Sequence, residues 1–177
     1  MMLSLLAPKG NERIGLPSDR EVDIPICRVL FTPWEGEPIS DDYGGKAVIN
    51  YKGVPLFAEL VVLNMLKQDG WDGVWVDNFR SRFITEMPKD GEEGVVLPEG
   101  PAGFFGKYSA QAGNRGCWDL FLWKGGKYLF VECKRKGKDA MRESQLVWLE
   151  SCLDNGLKTE SFFLVEWDIG GIVNDTK

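Results

Sequence analysis

Two glycines constrain this chain more than any other pair of residues. Gly125 and Gly126 lie between two apolar runs, 117–124 and 127–134. A two-residue hairpin loop of type I′ needs positive φ at both central positions, and Gly-Gly supplies it without steric cost. With these glycines as the loop, Lys124 faces Lys127. Counting back along the strands, Asp119 then faces Glu132, and Lys134 lies two residues further along the same face. Leu120, Leu122, Leu129 and Val131 point one way; Phe121, Trp123, Tyr128 and Phe130 point the other. Such a hairpin belongs at the centre of a sheet covered on both faces. Opposed carboxylates inside it repel, so the pair calls for a cation to hold.

The sequence contains no histidine. That removes Ser-His-Asp and Cys-His nucleophilic sites and every His-dependent metal site. Hydrolytic chemistry here must rest on carboxylates, lysine and metal-activated water. Four cysteines (Cys27, Cys117, Cys133 and Cys152) form no Cys-x-x-Cys pair and read as reduced thiols in an intracellular, cytoplasmic protein. No apolar run is long enough to span a membrane. The net charge of −6 opposes nucleic-acid binding, but the charges are unevenly spread. Lys124, Lys127, Lys134, Arg135, Lys136, Lys138 and Arg142 form a basic island between two acidic flanks, and local patches set phosphate binding.

At 177 residues the chain reads as one domain, 1–177, with a core over about 55–168. Residues 1–54 are rich in turn formers, with short strands expected at 26–31 and 46–51, and read as an elaboration covering an edge or a face. A helix is expected over 55–68, with Pro55 in its first turn and Gly70 as its stop. Glu59 falls on or beside its buried stripe of Leu56, Leu60, Leu63 and Leu66 and needs a partner there. A strand follows at 71–77. Residues 78–116 show no clear periodicity and read as a long insertion loop, in which aromatic and basic residues, Arg115 among them, either pack on the core or bind nucleic acid. After the hairpin, a helix over 140–154 capped by Asp139 and a strand over 161–167 complete the chain. On its own, Gln145 reads as a surface residue of that helix. The order helix, strand, strand, strand, helix, strand predicts an α/β domain with a mixed sheet flanked by helices.

Asp119, a spacer, then Glu132-Cys133-Lys134 resembles the PD-(D/E)XK nuclease signature, and the element order matches the αβββαβ core of that restriction-endonuclease-like fold. The run 130–138, with Gln145, Trp148 and the closing Phe163-Leu164-Val165-Glu166-Trp167, is similar to the VRR-NUC branch. The likeness covers 117–168 and reaches Glu59 by position. Trp118 stands where that pattern has proline, a position that shapes the strand and binds no metal. The resemblance implies an Mg²⁺- or Mn²⁺-dependent DNA endonuclease acting on junctions or other branched DNA as a homodimer. It implies that Asp119, Glu132 and the Cys133 carbonyl bind metal, with Glu59 joining through water. It implies that Lys134 serves catalysis and that Gln145 supports the site. Lys124, Lys127, Arg135, Lys136, Lys138, Arg142 and Arg115 are the candidate nucleic-acid contacts. The alternative is a catalytically inactive DNA-binding or assembly module on the same fold. A small-molecule hydrolase is a weaker reading, because no Gly-x-Gly-x-x-Gly or Walker loop is present.

Overall fold

The computed structural model describes residues 5–40, 43–89, 91, 93–113 and 115–170. The hairpin forms in the expected register. Strand β7 (Leu120–Lys124) and β8 (Lys127–Arg135) pair antiparallel, with Leu120 opposite Val131 and Lys124 opposite Lys127. Gly125 and Gly126 have φ of 53° and 76°, the backbone that the type I′ turn demands. Both strands are almost wholly buried until they near the turn.

The remaining strands extend this pair in both directions. Among the described residues the main sheet runs β1-β2-β9-β8-β7-β5-β6. Here β1 is Asn11–Gly15, β2 Glu21–Phe31, β5 Asp72–Asp77, β6 Arg82–Ile84 and β9 Phe162–Ile169. The β8–β9 and β9–β2 ladders are parallel and the others antiparallel. The N-terminal segment is therefore part of the sheet itself: β2 joins β9 along six residue pairs. A separate ribbon pairs β3 (Val48–Tyr51) with β4 (Val54–Phe57).

Helix α1 (Ala58–Gln68) lies on one face, where Leu60, Leu63 and Leu66 pack with Leu122, Leu129 and Val131. Helices α2 (Glu99–Ala112) and α3 (Glu143–Asp154) lie on the other, over Phe121, Phe130 and Phe162. The two sets of hairpin side chains thus separate into two cores as the alternation requires. The molecule is a mixed α/β fold with a mostly antiparallel sheet flanked by helices. The four cysteines are free and buried. No helix among the described residues is long and apolar enough to cross a membrane.

Three expectations need correction. Helix α1 starts at Ala58, not at Pro55, because residues 54–57 are recruited as a strand opposite 48–51. Helix α3 starts at Glu143, because Asp139 accepts the Arg135 N–H at 3.0 Å and so closes the turn after β8 instead of capping the helix. The segment 78–116 is not a structureless loop, since it holds β6 and the whole of α2. Gly100, Pro101, Gly103 and Gly106 hide that helix from propensity. Each glycine costs about 1 kcal/mol relative to alanine. Tertiary packing outweighs this, because burying a phenylalanine-sized side chain contributes about 1.5–3 kcal/mol. Phe104 stacks on Tyr128 with ring centroids 3.7 Å apart, and Phe105 meets Phe83 edge-on at 5.1 Å.

A candidate active site at the open end of the hairpin

Asp119 immediately precedes β7, and its place is fixed from three sides. Its N–H donates to Glu132 Oε2 at 3.2 Å, and its Oδ2 accepts the Cys133 N–H at 2.9 Å. Its carbonyl accepts the Val76 N–H from β5 at 2.7 Å. Each carboxylate therefore bonds a backbone N–H of the facing strand segment, Glu132 that of Asp119 and Asp119 that of Cys133, as the unslipped register permits. Trp118, fully buried, anchors the entry to β7 by packing edge-on against Phe162 with centroids 5.0 Å apart.

Glu132 is 2% exposed. Its Oε1 accepts from Gln145 Nε2 at 2.6 Å and from Lys134 Nζ at 2.9 Å. Gln145 Oε1 in turn accepts from Lys134 Nζ at 2.9 Å and from the Arg142 N–H at 3.0 Å. Gln145 is buried, not a surface residue as its place on the helix suggests. It fastens the first turn of α3 to the strand that carries Glu132 and Lys134 and holds the lysine against the glutamate. The turn before β7 approaches α3 closely. Gly116 has φ of 89°, and a Cβ there would lie 2.1 Å from the Ser144 carbonyl oxygen.

Glu59 reaches the same place from the first turn of α1 and is buried. Its Oε1 pairs with Lys46 Nζ at 2.5 Å, while its buried Oε2 has no hydrogen-bond partner. Lys46 Nζ also lies 5.1 Å from the Trp75 ring centroid. Burial opposes charge on this ammonium, but attraction from Glu59 outweighs it and the pKa of Lys46 is raised. Sequence reasoning missed Lys46, which sits outside the basic island and follows Gly44-Gly45 in a turn-rich segment.

These side chains border one cleft of about 930 Å³. Burial, then repulsion from Glu132 and Glu59, pushes Asp119 well above the usual carboxylate range. Burial also raises Glu132, against the pull of Lys134 and Gln145. Glu59, Asp119 and Glu132, three of the acidic residues that line the cleft, bring more negative charge together than buried surroundings solvate comfortably. Hard oxygen donors of this kind suit Mg²⁺ or Mn²⁺, and the orphaned Glu59 Oε2 fits the same use. The arrangement is not a finished cage, however. Both Glu132 oxygens already accept protein donors, and no group of three or more His, Cys, Asp or Glu among the described residues is set to hold a metal ion.

The basic island divides in space. Arg135, Lys138 and Arg142 border the cleft with Lys134. The Arg135 guanidinium also sits 5.4 Å from the Trp167 ring. Lys136 turns to a smaller pocket with Arg28 and Glu166. Lys124 and Lys127 stand at the Gly-Gly turn, five residues along each strand from the carboxylates, which is roughly 17 Å. There the Lys124 ammonium bonds the Asp69 carbonyl. Grouping them with the cleft residues is therefore a correction of the sequence reading: the hairpin carries them to its far end. Arg115 is exposed next to cleft-lining Gly116.

Another part of the cleft lining is organised around Asp77, which the sequence reading did not single out. Buried Asp77 accepts from Tyr43 Oη at 2.7 Å, from Arg82 Nε at 3.3 Å and from the Arg80 N–H at 3.1 Å. Asn78 Nδ2 donates to the Cys117 carbonyl at 2.8 Å, tying this part of the lining to the segment that carries Asp119. No family model matches the chain, and neither a curated protein nor a solved structure matches it.

Proposed function

We propose that the protein is a divalent-metal-dependent DNA endonuclease of the PD-(D/E)XK type, close to the VRR-NUC branch, and that it acts on branched or junction DNA as a homodimer. One observation carries the reading: Asp119 and Glu132 are held across the hairpin, Glu132 accepting the Asp119 N–H and Asp119 the Cys133 N–H, with Lys134 held beside them by Gln145. Asp119, Glu132, the Cys133 carbonyl and Glu59 are the groups that would hold Mg²⁺ or Mn²⁺. When bound, such an ion supplies positive charge against the phosphodiester and makes water more acidic. Lys134 carries its ammonium at the cleft on a buried strand, where it orients water or donates to a phosphate oxygen. Gln145 shares that ammonium with Glu132, and the two acceptors together fix its position. Arg135, Lys138 and Arg142 neutralise the DNA backbone along the same cleft.

Cleavage of junction, flap and single-stranded DNA by the purified protein, with Mg²⁺ and with Mn²⁺, tests this. Asp119→Ala, Glu132→Ala and Lys134→Ala are each expected to lower the rate at least about 10³-fold while the protein remains folded. Full Mg²⁺-dependent activity in Glu132→Ala would sink the assignment.

A second reading has its own support. Both Glu132 oxygens accept donors, as a retired metal ligand would. An inactive nuclease-fold module for DNA binding or assembly would bind DNA with a steep salt dependence and cleave nothing with either ion.

A further inference from the structure

We propose that Phe79 is a stacking platform for an unpaired nucleobase at the mouth of the cleft. This rests on the nucleic-acid reading above and adds to it the feature that selects the substrate. Phe79 is 88% exposed, whereas all other aromatic residues of the chain are buried or half-buried. It belongs to the turn between β5 and β6 and borders the cleft that holds Asp119, Glu132 and Lys134.

The exposure is imposed by its neighbours. Asn78 on one side donates through its backbone N–H to the Val76 carbonyl at 2.9 Å and through its amide to the Cys117 carbonyl at 2.8 Å. Arg80 on the other donates its backbone N–H to Asp77 at 3.1 Å and lays its guanidinium 4.1 Å from the Tyr43 ring centroid. With both neighbours pinned, the phenyl ring between them is presented to solvent on a fixed turn. A preorganised, exposed ring loses little conformational freedom on binding.

The surroundings favour a base over a protein partner. Its neighbours in the turn, Asn78, Arg80 and Ser81, are polar, whereas the patch that a protein partner uses is broad and apolar. The cleft it borders carries Arg135, Lys138 and Arg142, which suit the phosphates of the same strand. Bases in a continuous duplex have both faces covered by their neighbours, so an aromatic platform at the rim acts on bulged, gapped or flapped DNA, where a base is free to leave the stack.

The test is equilibrium binding by fluorescence anisotropy in an Asp119→Asn background with Mg²⁺. It compares a continuous duplex with the same duplex carrying a short unpaired bulge. Phe79→Ala is expected to weaken binding to the bulged DNA by about ten-fold, the size of one lost base stack, and to leave duplex binding within about two-fold, also by that estimate. Phe79→Trp should keep the preference for bulged DNA. Phe79→Leu, apolar but without a π face, should lose it. Equal affinity of Phe79→Ala and the parent for bulged DNA would overturn the proposal while leaving the nuclease reading intact. So would retention of the preference by Phe79→Leu, or a fall in oligomer size on sedimentation of Phe79→Ala with DNA affinity unchanged. If the parent protein binds neither DNA, the nucleic-acid reading and this proposal fall together.

Discussion

Gln145 shows how one side chain can decide the geometry of a site without reaching what the site acts on. Its amide nitrogen goes to Glu132 and its amide oxygen takes Lys134 and the Arg142 N–H. Removing it leaves the Lys134 ammonium with the Glu132 carboxylate but without the amide that fixes its position. Gln145→Ala is expected to lower cleavage by about 10–100-fold, as loss of a ligand-orienting residue does. Its Glu variant should not rescue, because a third acid beside Glu132 adds repulsion where the amide supplied a donor. Rate measurements across pH on Gln145→Ala, beside its melting temperature, check this; an unchanged rate at every pH would remove the residue from the site. At this scale the legible part was what a strand period dictates. Asp119, Glu132 and Lys134 followed from the Gly-Gly turn, because turn chemistry fixes register and register fixes faces. Gln145 and Lys46 were illegible as partners, since one polar residue on a helix and one lysine after two glycines carry no period to count.

The elements divide along the same line. The hairpin, α1, α3 and β9 announce themselves by local pattern, with ends displaced by only a few residues where β4 and the Asp139 turn competed for the backbone. Helix α2 does not, because its stability lies in rings from distant parts of the chain. Phe104 stacks on Tyr128, and Phe105 meets Phe83 edge-on and Phe121 at a tilt, and these partners lie far from α2 in the sequence. The glycines and proline of α2 leave it little helical preference of its own. Phe104→Ala should therefore destabilise the protein by about 1.5–3 kcal/mol, below the range for a fully buried ring because Phe104 is half-buried. The loss should be concentrated in α2. Hydrogen exchange is the discriminating measurement: faster exchange over residues 99–112 with β7 and β8 still protected is the expected pattern. Uniform loss across the sheet would mean that α2 is no separate unit. Strands β1 and β2 were only half legible for a related reason. Turn formers marked the segment as irregular, while its membership of the sheet depends on β9, at the far end of the chain.

At the scale of the molecule, the sheet concentrates acid where its strands end. Asp119 and Glu132 are both raised, by burial first and by neighbouring charge for Asp119. A carboxyl group with a folded pKa above its unfolded value binds more protons in the folded state throughout the interval between the two. Stability contributed by these groups is then present below the ordinary carboxylate range and is lost as pH rises through the raised values. The slope is opposite to that of a carboxylate held by a salt bridge. With metal chelated, the wild-type protein should lose stability relative to Asp119→Asn as pH climbs above the ordinary carboxylate range and through the raised values. At the upper end the substituted protein should melt at the higher temperature. Mn²⁺ should reverse that order by binding the folded wild type, with about 2.7 kcal/mol gained at a hundred times the dissociation constant, and should do little for Asp119→Asn. Melting curves of both proteins over this pH range, with and without Mn²⁺, separate the outcomes. If the two curves run parallel with pH, the carboxylates are not repelling each other in the fold. If Mn²⁺ moves both proteins equally, the ion binds elsewhere. If both effects occur as expected, the acid that destabilises the hairpin's open end is what gives that end its affinity for a cation, and the Gly-Gly turn at the other end is what keeps the acids opposed.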